Sequence, residues 1–425
     1  MNKLKICIIG MGDFSNYFIP LFKNHPGVAE VSIADIIPER VAAAAKKHGI
    51  SRTFTSLDDV LKNGRDIDSI ALFTQRQLHG PMVIVALKAG KNVFSAVPMA
   101  IDVEECGKII DLVKSTRLIY MTGETCYYFP CAIYCRDIYR SGKLGRFVYG
   151  ESQYYHDMKA FYGAFAHSGG DSWKRVAGIP PMYYSPHSVS MIVSVLGEYA
   201  KKVSCVGFRD DGDDEIFGVG KNNWDNPFSN QTALLTMSGG GVARVNEFRR
   251  VGIAHKPSSF ITCMYGTTGA YECTADRHHL IRGVANPEGT WIDDVSDIVN
   301  TNYMTARKKA SDFNPHIEPI GERGHYGFSP VHDVNRLPEA LRNIPDTVHY
   351  NSHPFLVDDF VRAVLTGKLP PNNAWDSARY MVPGLVAHES ALRGGELLDI
   401  PDFGEAPAEF ERLTYIKKDY YENED

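Results

Sequence analysis

Two glycines and one acid near the start of the chain are spaced for dinucleotide chemistry. Gly10-Met11-Gly12 follows the apolar run Ile6-Cys7-Ile8-Ile9, and Asp35 closes the next apolar run, Val31-Ser32-Ile33-Ala34. Gly10 permits a tight turn out of a strand. Gly12 lets the backbone approach a pyrophosphate seated on the unpaired N–H groups of the helix that follows. Ser15 takes the third small position. Asp35, 23 residues beyond Gly12, is placed to accept hydrogen bonds from both ribose hydroxyls, and its charge repels a 2′-phosphate. NAD is therefore expected rather than NADP, with Gly10, Gly12, Asp13, Phe14 and Asp35 as cofactor residues. The competing reading is a unit that kept this shape and lost its ligand.

The elements that must position these residues alternate between strand and helix. Apolar strands at Ile6–Ile9, Val31–Ala34, Thr53–Phe54, Ser69–Phe73, Asn92–Ser95 and Leu118–Met121 are separated by helical stretches. The helix over Pro38–His48 opens on proline and is followed by Gly49, and Ser56 is a natural N-cap for Leu57–Leu61. Strands separated by helices of this length pair in parallel. Thr74 and Gln75 end the fourth strand, where ligand contacts gather in open α/β sheets, although capping of the next helix is the plainer role. A dinucleotide-binding α/β Rossmann domain is expected over residues 1–123.

From 124 to 425 the pattern changes. Longer, aromatic strands at Phe147–Tyr155, Ala200–Phe208, Gln231–Met237, Ala243–Phe248, Ser259–Tyr265 and Gly269–Thr274 follow one another with few helices. Successive strands joined by turns predict an α+β domain with a large, mostly antiparallel sheet. Its amphipathic C-terminal helices, Pro354–Leu365 and Ser377–Leu392, would pack back on the first domain. The segment 276–345 reads as irregular and polar, an insertion over a sheet edge or pocket.

The 425 residues are 44% hydrophobic and 23% charged, with a net charge of −6. That balance and the lack of a Lys/Arg block argue against nucleic acid. No apolar run reaches membrane-spanning length, and Met1-Asn2-Lys3-Leu4-Lys5 leads into a core strand with no signal peptide. The eight cysteines form no CxxC pair, and Cys126, Cys131 and Cys135 fit no common zinc spacing, so buried thiols in a reduced, cytoplasmic protein are expected.

The chain resembles the glucose–fructose oxidoreductase, inositol dehydrogenase and MocA-like family (Gfo/Idh/MocA). The likeness runs through Gly10-Met11-Gly12, Asp35, the strand ending in Pro98, Gly142-Lys143-Leu144-Gly145, Pro354-Phe355-Leu356-Val357-Asp358-Asp359-Phe360 and Ala387-His388-Glu389-Ser390. It implies an NAD(P) Rossmann domain, with Pro98 and the strand-four residues Thr74 and Gln75 near the cofactor. It also implies a sheet domain holding a carbohydrate substrate and a homodimer or homotetramer built through the open sheet face.

Two positions depart from the family pattern. Its Glu-Lys-Pro is here Ala96-Val97-Pro98, and valine can neither donate a hydrogen bond nor carry charge to a reacting hydroxyl. Its aspartate, four residues before a histidine on one helical face, is replaced by Tyr183 before His187 in Pro180-Pro181-Met182-Tyr183-Tyr184-Ser185-Pro186-His187-Ser188. His187 is the candidate base and Tyr183 its catalytic partner, with a merely packed histidine as the plainer reading. Substrate contacts are expected from Tyr184, Glu124, Trp173, Lys174 and, at the end of the strand Tyr154-Tyr155-His156-Asp157, from Tyr155, His156 and Asp157. Alternation there points Tyr155 and Asp157 to one face, Tyr154 and His156 to the other. A metal held by His156 or Asp157 with His187 would replace the lysine's chemistry; the expectation taken is no metal. His349 and His353 are expected to cap or meet solvent.

The activity expected first is an NAD-dependent oxidoreductase acting on a secondary hydroxyl of a sugar, cyclitol or sugar acid. The second is a redox-neutral, NAD-dependent glycoside hydrolase or lyase, an exception to the two-carboxylate scheme. The third is a non-catalytic NAD- or sugar-binding protein.

Overall fold

Six short strands lie parallel in the order β3-β2-β1-β4-β5-β6: β1 (Leu4–Ile9), β2 (Val28–Ala34), β3 (Thr53–Phe54), β4 (Ser69–Leu72), β5 (Asn92–Ser95) and β6 (Tyr120–Thr122). Helices α1 (Ser15–Asn24), α2 (Pro38–His48), α3 (Leu57–Asn63), α4 (His79–Lys88) and α5 (Val103–Thr116) connect them. The structure is a computed structural model that describes residues 3–252, 259–274, 277–300, 328–342 and 349–414. Local signals end several helices as expected. Ser56 and Asp102 accept from the backbone N–H three residues on, and Gly49 closes α2 in the left-handed region.

The second sheet has nine strands in the order β14-β13-β12-β11-β7-β10-β9-β8-β15. They are β7 (Phe147–Tyr155), β8 (Ala200–Arg209), β9 (Phe228–Met237), β10 (Val242–Phe248), β11 (Ser259–Gly266), β12 (Gly269–Thr274), β13 (Arg277–Arg282), β14 (Ile292–Asp294) and β15 (Leu398–Asp399). All its pairings are antiparallel except β7 with β10, in register from Tyr149↔Val242 to Tyr155↔Phe248. Its helices are α6 (Pro130–Arg140), α7 (Tyr162–Gly169), α8 (Trp173–Ala177), α9 (Pro186–Leu196), α10 (Ser352–Thr366) and α11 (Ala374–Leu392), besides two single turns. A parallel Rossmann sheet beside a mostly antiparallel one is the architecture expected.

One expectation changes. Residues 277–300, read as irregular, add β13 and β14 to the sheet edge, because His278 and Leu280 turn inward from a strand that also carries the polar Arg277, His279 and Arg282. The rest of the 276–345 segment lies partly outside the described residues. Helix α6 opens on Pro130 and turns Cys131, Ala132, Tyr134, Cys135 and Ile138 inward. Helix α4 continues a 3₁₀ turn over Arg76–Leu78 and starts at His79, two residues before Pro81.

The C-terminal helices bind the halves together. Phe360 of α10 packs against Phe22 and Phe94, and Phe18 lies 4.8 Å from Phe73 and 5.6 Å from Phe94, centre to centre. Burying each of these rings stabilises by roughly 1.5–3 kcal/mol. Arg336 bonds Asp359 at 2.7 Å and lies 3.3 Å from Asp358, which His25 meets at 3.3 Å. All eight cysteines are free and buried. No described helix is long and apolar enough to cross a membrane.

Candidate functional site

The glycine turn leaves β1 with Gly10 at φ +98°, where a Cβ would stand 2.5 Å from the Phe73 carbonyl oxygen of β4. Gly10 is therefore demanded by the neighbouring strand. Gly12 differs: a Cβ there would meet nothing within 4 Å, which leaves its surroundings open to a ligand. The buried hydroxyl of Ser15 donates to Gly12 O at 2.8 Å. No side chain caps α1, whose N-cap is Phe14, so its first turn is free to meet an anion. Asp13 is exposed. Asp35 is buried, accepting from Met11 N at 2.7 Å and Ile37 N at 2.9 Å, and so braces the glycine turn from the end of β2. Each of its oxygens retains a lone pair for a ribose hydroxyl.

Beneath this turn Phe14 contacts Phe73, His349 and His353. His353 is fully buried, 4.4 Å from the Phe18 ring centre, with Nε2 3.1 Å from His349 Nδ1. His353 neither caps nor meets solvent, the roles expected from the sequence, and belongs to the aromatic core, whereas His349 is half-buried. Thr74 points its hydroxyl at Met82 Sδ, 3.4 Å away, and Gln75 Nε2 donates to Ser168 O at 3.3 Å. Pro98 O lies 2.8 Å from His79 Nδ1. Val97 is half-buried beside it.

Facing that edge, His187 sits in the first turn of α9, opened by Pro186. Ser152 donates to Ser188 O at 2.8 Å and Ser188 Oγ to Glu247 Oε1 at 2.5 Å, which pins α9 onto β7 and β10. His187 Nδ1 is 3.0 Å from Glu124 Oε1. Glu124 is fully buried, and the same oxygen accepts from Cys126 N at 2.7 Å. The carboxylate thus fixes the Nδ1–H tautomer and leaves Nε2 as the lone-pair nitrogen. Glu124 Oε2 is buried with no hydrogen-bond partner.

Aromatic rings surround the pair. Tyr154 lies 4.5 Å and Tyr184 6.0 Å from His187, centre to centre, and His156 stacks on Tyr154 at 5.4 Å and on Phe161 at 4.2 Å. Burial pushes the Tyr154 hydroxyl up to about 12, against the pull of Arg249. Burial, with the charges of Arg249 and neighbouring histidines, drives His156 well below the usual histidine range, so it is neutral.

Several expected site residues stand elsewhere. Tyr183 is not beside His187. Pro186 starts a new helix, so Tyr183 ends up in the 3₁₀ turn Pro181–Tyr184, where its ring packs edge-on against His388 of α11 at 5.5 Å. Burial raises its hydroxyl to about 12. Tyr155 faces the open side of the sheet, against Phe248, with its hydroxyl on Gln153. Asp157 caps Lys159 N and accepts from Val251 N and Gly252 N, so it ties strand ends together. Trp173 packs on Tyr162 at 5.2 Å, and Lys174 pairs with exposed Glu215 at 4.0 Å. Sequence alone missed Tyr154, whose partner face was legible by alternation, and Glu124 as the partner of His187.

Among the described residues, one group could hold a metal ion: Glu124, Cys126 and His187, with ligand atoms within 4.8 Å of one another. It is not the His156–Asp157 set weighed from the sequence. Burial and the Glu124 charge hold the Cys126 thiol protonated, well above its usual range, which opposes metal binding.

Comparison with known proteins fits this layout. Residues 4–124 match the Gfo/Idh/MocA model, described as an oxidoreductase family with an NAD-binding Rossmann fold. Over 421 residues, covering 95% of this chain and 78% of the relative, the chain is 23% identical to a glycosyl hydrolase family 109 protein of Streptomyces filamentosus. A glycosyl hydrolase family 109 protein of Saccharopolyspora erythraea is 21% identical over 418 residues, covering 94% and 83%. Among solved structures, levoglucosan dehydrogenase in complex with NADH and L-sorbose superposes with a TM-score of 0.70 at 19% identity, covering 95% of this chain and all of that one, a likeness of fold. Residues 4–124 of this chain thus form a Rossmann domain that matches the Gfo/Idh/MocA family model.

Proposed function

We propose that the protein is a redox-neutral, NAD-dependent glycoside hydrolase. A sugar hydroxyl is transiently oxidised, which acidifies the neighbouring C–H. The anomeric substituent is then eliminated, water adds, and the carbonyl is reduced back. Bound NAD supplies the hydride acceptor and, once reduced, the hydride donor. Gly10, Gly12, Asp13, Phe14 and Asp35 would hold it, because the space beside Gly12 is open, the first turn of α1 is uncapped and Asp35 is fixed at the end of β2. Thr74, Gln75 and Pro98 line the same edge.

The observation that carries this reading is a base and a separate neutral acid in contact, His187 and Tyr154, 4.5 Å between ring centres. A plain dehydrogenation moves one proton with its hydride. Elimination and hydration also remove a carbon-bound proton and protonate a leaving oxygen. His187 Nε2 takes the hydroxyl proton, while Tyr154, protonated at neutral pH, donates. Glu124 is a positioning residue that holds the His187 tautomer. Tyr184 and His156 border the sugar. Two curated relatives matched along nearly the whole chain carry the glycosyl hydrolase family 109 name, which supports hydrolysis over the net dehydrogenation expected first. Val97 weighs the same way, since it leaves a dehydrogenase without its lysine. Exposed Val206, Phe208 and Leu234 on the open sheet face support pairing of copies through that face.

The test is a panel of p-nitrophenyl glycosides run in D2O with the protein as purified. The expected result is phenolate release without net NADH absorbance, and deuterium at one ring carbon of the released sugar. NADH accumulating in step with a sugar substrate, with no deuterium incorporated, would instead make it a dehydrogenase.

A further inference from the structure

One tyrosine ring beside the candidate base is shared by two guanidinium groups. Arg249 lies 4.1 Å and Arg76 4.8 Å from the centre of Tyr184, which itself stacks near His187. Arg249 is 6% exposed, and its Nη2 is buried with no hydrogen-bond partner. The closest carboxylate oxygen recorded for it, Glu247 Oε2, stands 3.9 Å from that nitrogen and is itself unpartnered. Burial drives the Glu247 carboxyl well above its usual range, toward the neutral form, so it is a poor counter-charge. Arg76 follows β4 on the cofactor edge. It rests on the Phe165 and Tyr184 rings at 5.0 and 4.8 Å, and no described carboxylate pairs with it.

Two guanidinium charges over one ring, one of them out of water, work against folding unless an anion offsets them. Each guanidinium offers a fork that suits bidentate capture of an oxyanion. The other cation candidates nearby do not change the balance, because His156 is neutral and His187 is engaged by Glu124.

We propose that Arg76 and Arg249 form an oxyanion-binding subsite beside His187, so that the sugar taken by this site carries a carboxylate or a sulfate ester. This rests on the glycosidase reading for its catalytic consequence, but the subsite also makes a binding claim of its own.

The experiment uses the full-length, NAD-loaded protein and its Arg76→Met variant. Matched p-nitrophenyl hexosides, hexuronides and 6-sulfated hexosides are compared by kcat/KM, and D-galacturonate, D-glucuronate and D-galactose binding is measured by calorimetry. The expected result is a preference for one acidic class of about tenfold or more over the neutral hexoside, collapsing toward one in Arg76→Met. The uronide and sulfate arms tell the two oxyanion sources apart. If no glycoside is cleaved but galacturonate or glucuronate binds the wild type and not Arg76→Met, the subsite stands and the glycosidase reading falls. The proposal is overturned if neutral hexosides are preferred, if the variant lowers acidic and neutral substrates alike, if neither uronate binds more tightly than galactose and no 6-sulfated hexoside is preferred over its neutral parent, or if Arg76→Met loses its NAD, which would assign the arginines to the cofactor phosphates. Arg249→Lys, which keeps the buried charge, repeats the ratio measurement should Arg76→Met fail to fold.

Discussion

The Glu124 carboxylate and the His187 imidazole meet at 3.0 Å although 63 positions separate them in the chain. Glu124 stands just beyond the last strand of the parallel sheet, and His187 opens a helix that covers the antiparallel one. The pair is therefore assembled only when the two sheets are correctly seated against each other.

Removing either member tests whether they act as a unit. His187→Ala is expected to lower kcat/KM on the best glycoside by about 10²–10⁴-fold. Glu124→Gln should lower it nearly as far by freeing the tautomer. The double variant should be no worse than His187→Ala alone. Strictly multiplicative losses would show that the carboxylate acts elsewhere. Bound NAD, measured by absorbance after denaturation, separates these effects from loss of cofactor.

The two motif glycines should fail in different ways. Gly10→Ala forces a Cβ to within 2.5 Å of Phe73 O at a left-handed φ, at a cost of about 1–3 kcal/mol or more in stability. Gly12→Ala meets no protein atom, so its stability should change by no more than about 0.5 kcal/mol, while NAD affinity falls roughly tenfold or more. Denaturant melts and nucleotide titrations of both variants check this. A destabilised Gly12→Ala would contradict the open space described beside it.

Asp35 has a structural duty besides the ligand role proposed for it. Asp35→Ala leaves the buried Met11 N–H without its acceptor, which should cost about 1–3 kcal/mol even with no nucleotide present. Asp35→Asn, which keeps an acceptor and drops the charge, should retain most of the stability and narrow the NAD over NADP preference. Titration of both nucleotides against both variants is the measurement.

Acid should loosen the fold before carboxylates titrate. Burial lowers His388 to about 4 and His332, beside Arg336, to about 3, from an ordinary 6.5. Below pH 6.5 the unfolded chain takes up a proton that the folded His388 refuses, so stability is full above that pH and falls toward pH 4. His388 alone accounts for about 3 kcal/mol across this window. His388→Gln should flatten the fall of denaturation midpoint between pH 6.5 and 4.5. An unchanged slope would show that His388 is protonated in the fold.

Most of the fold was legible in residues 1–123, because each strand is a short apolar run bounded by glycine, proline or a capping side chain. Pro38–His48, Phe147–Tyr155 and Gly269–Thr274 match the observed elements residue for residue. The site was harder to read. His187 stood out by its motif, but its partner did not, since Tyr183, four residues earlier, falls in the 3₁₀ turn ahead of the helix that Pro186 opens. Tertiary placement alone brings Glu124 to it. Strand alternation correctly separated Tyr154 and His156 from Tyr155 and Asp157, yet which pair faces inward depends on α9 lying across β7. The Arg76–Tyr184–Arg249 stack joins three distant segments, so no local pattern announces it.

Helix α7 is fastened to the parallel sheet's cofactor edge from above: the carbonyl of His167 accepts from Arg40 and that of Ser168 from Gln75. Arg40 lies just past the end of β2 and Gln75 just past β4, so the helix bridges the rim where a dinucleotide enters an open parallel sheet. On the reading proposed above, a nucleotide held at that rim would leave past those two ties, and its exchange is expected to be slower than sugar turnover. A catalyst that restores its own oxidant each cycle gains from such retention. Its rate then follows the supply of glycoside and is insulated from swings in the surrounding ratio of oxidised to reduced nucleotide.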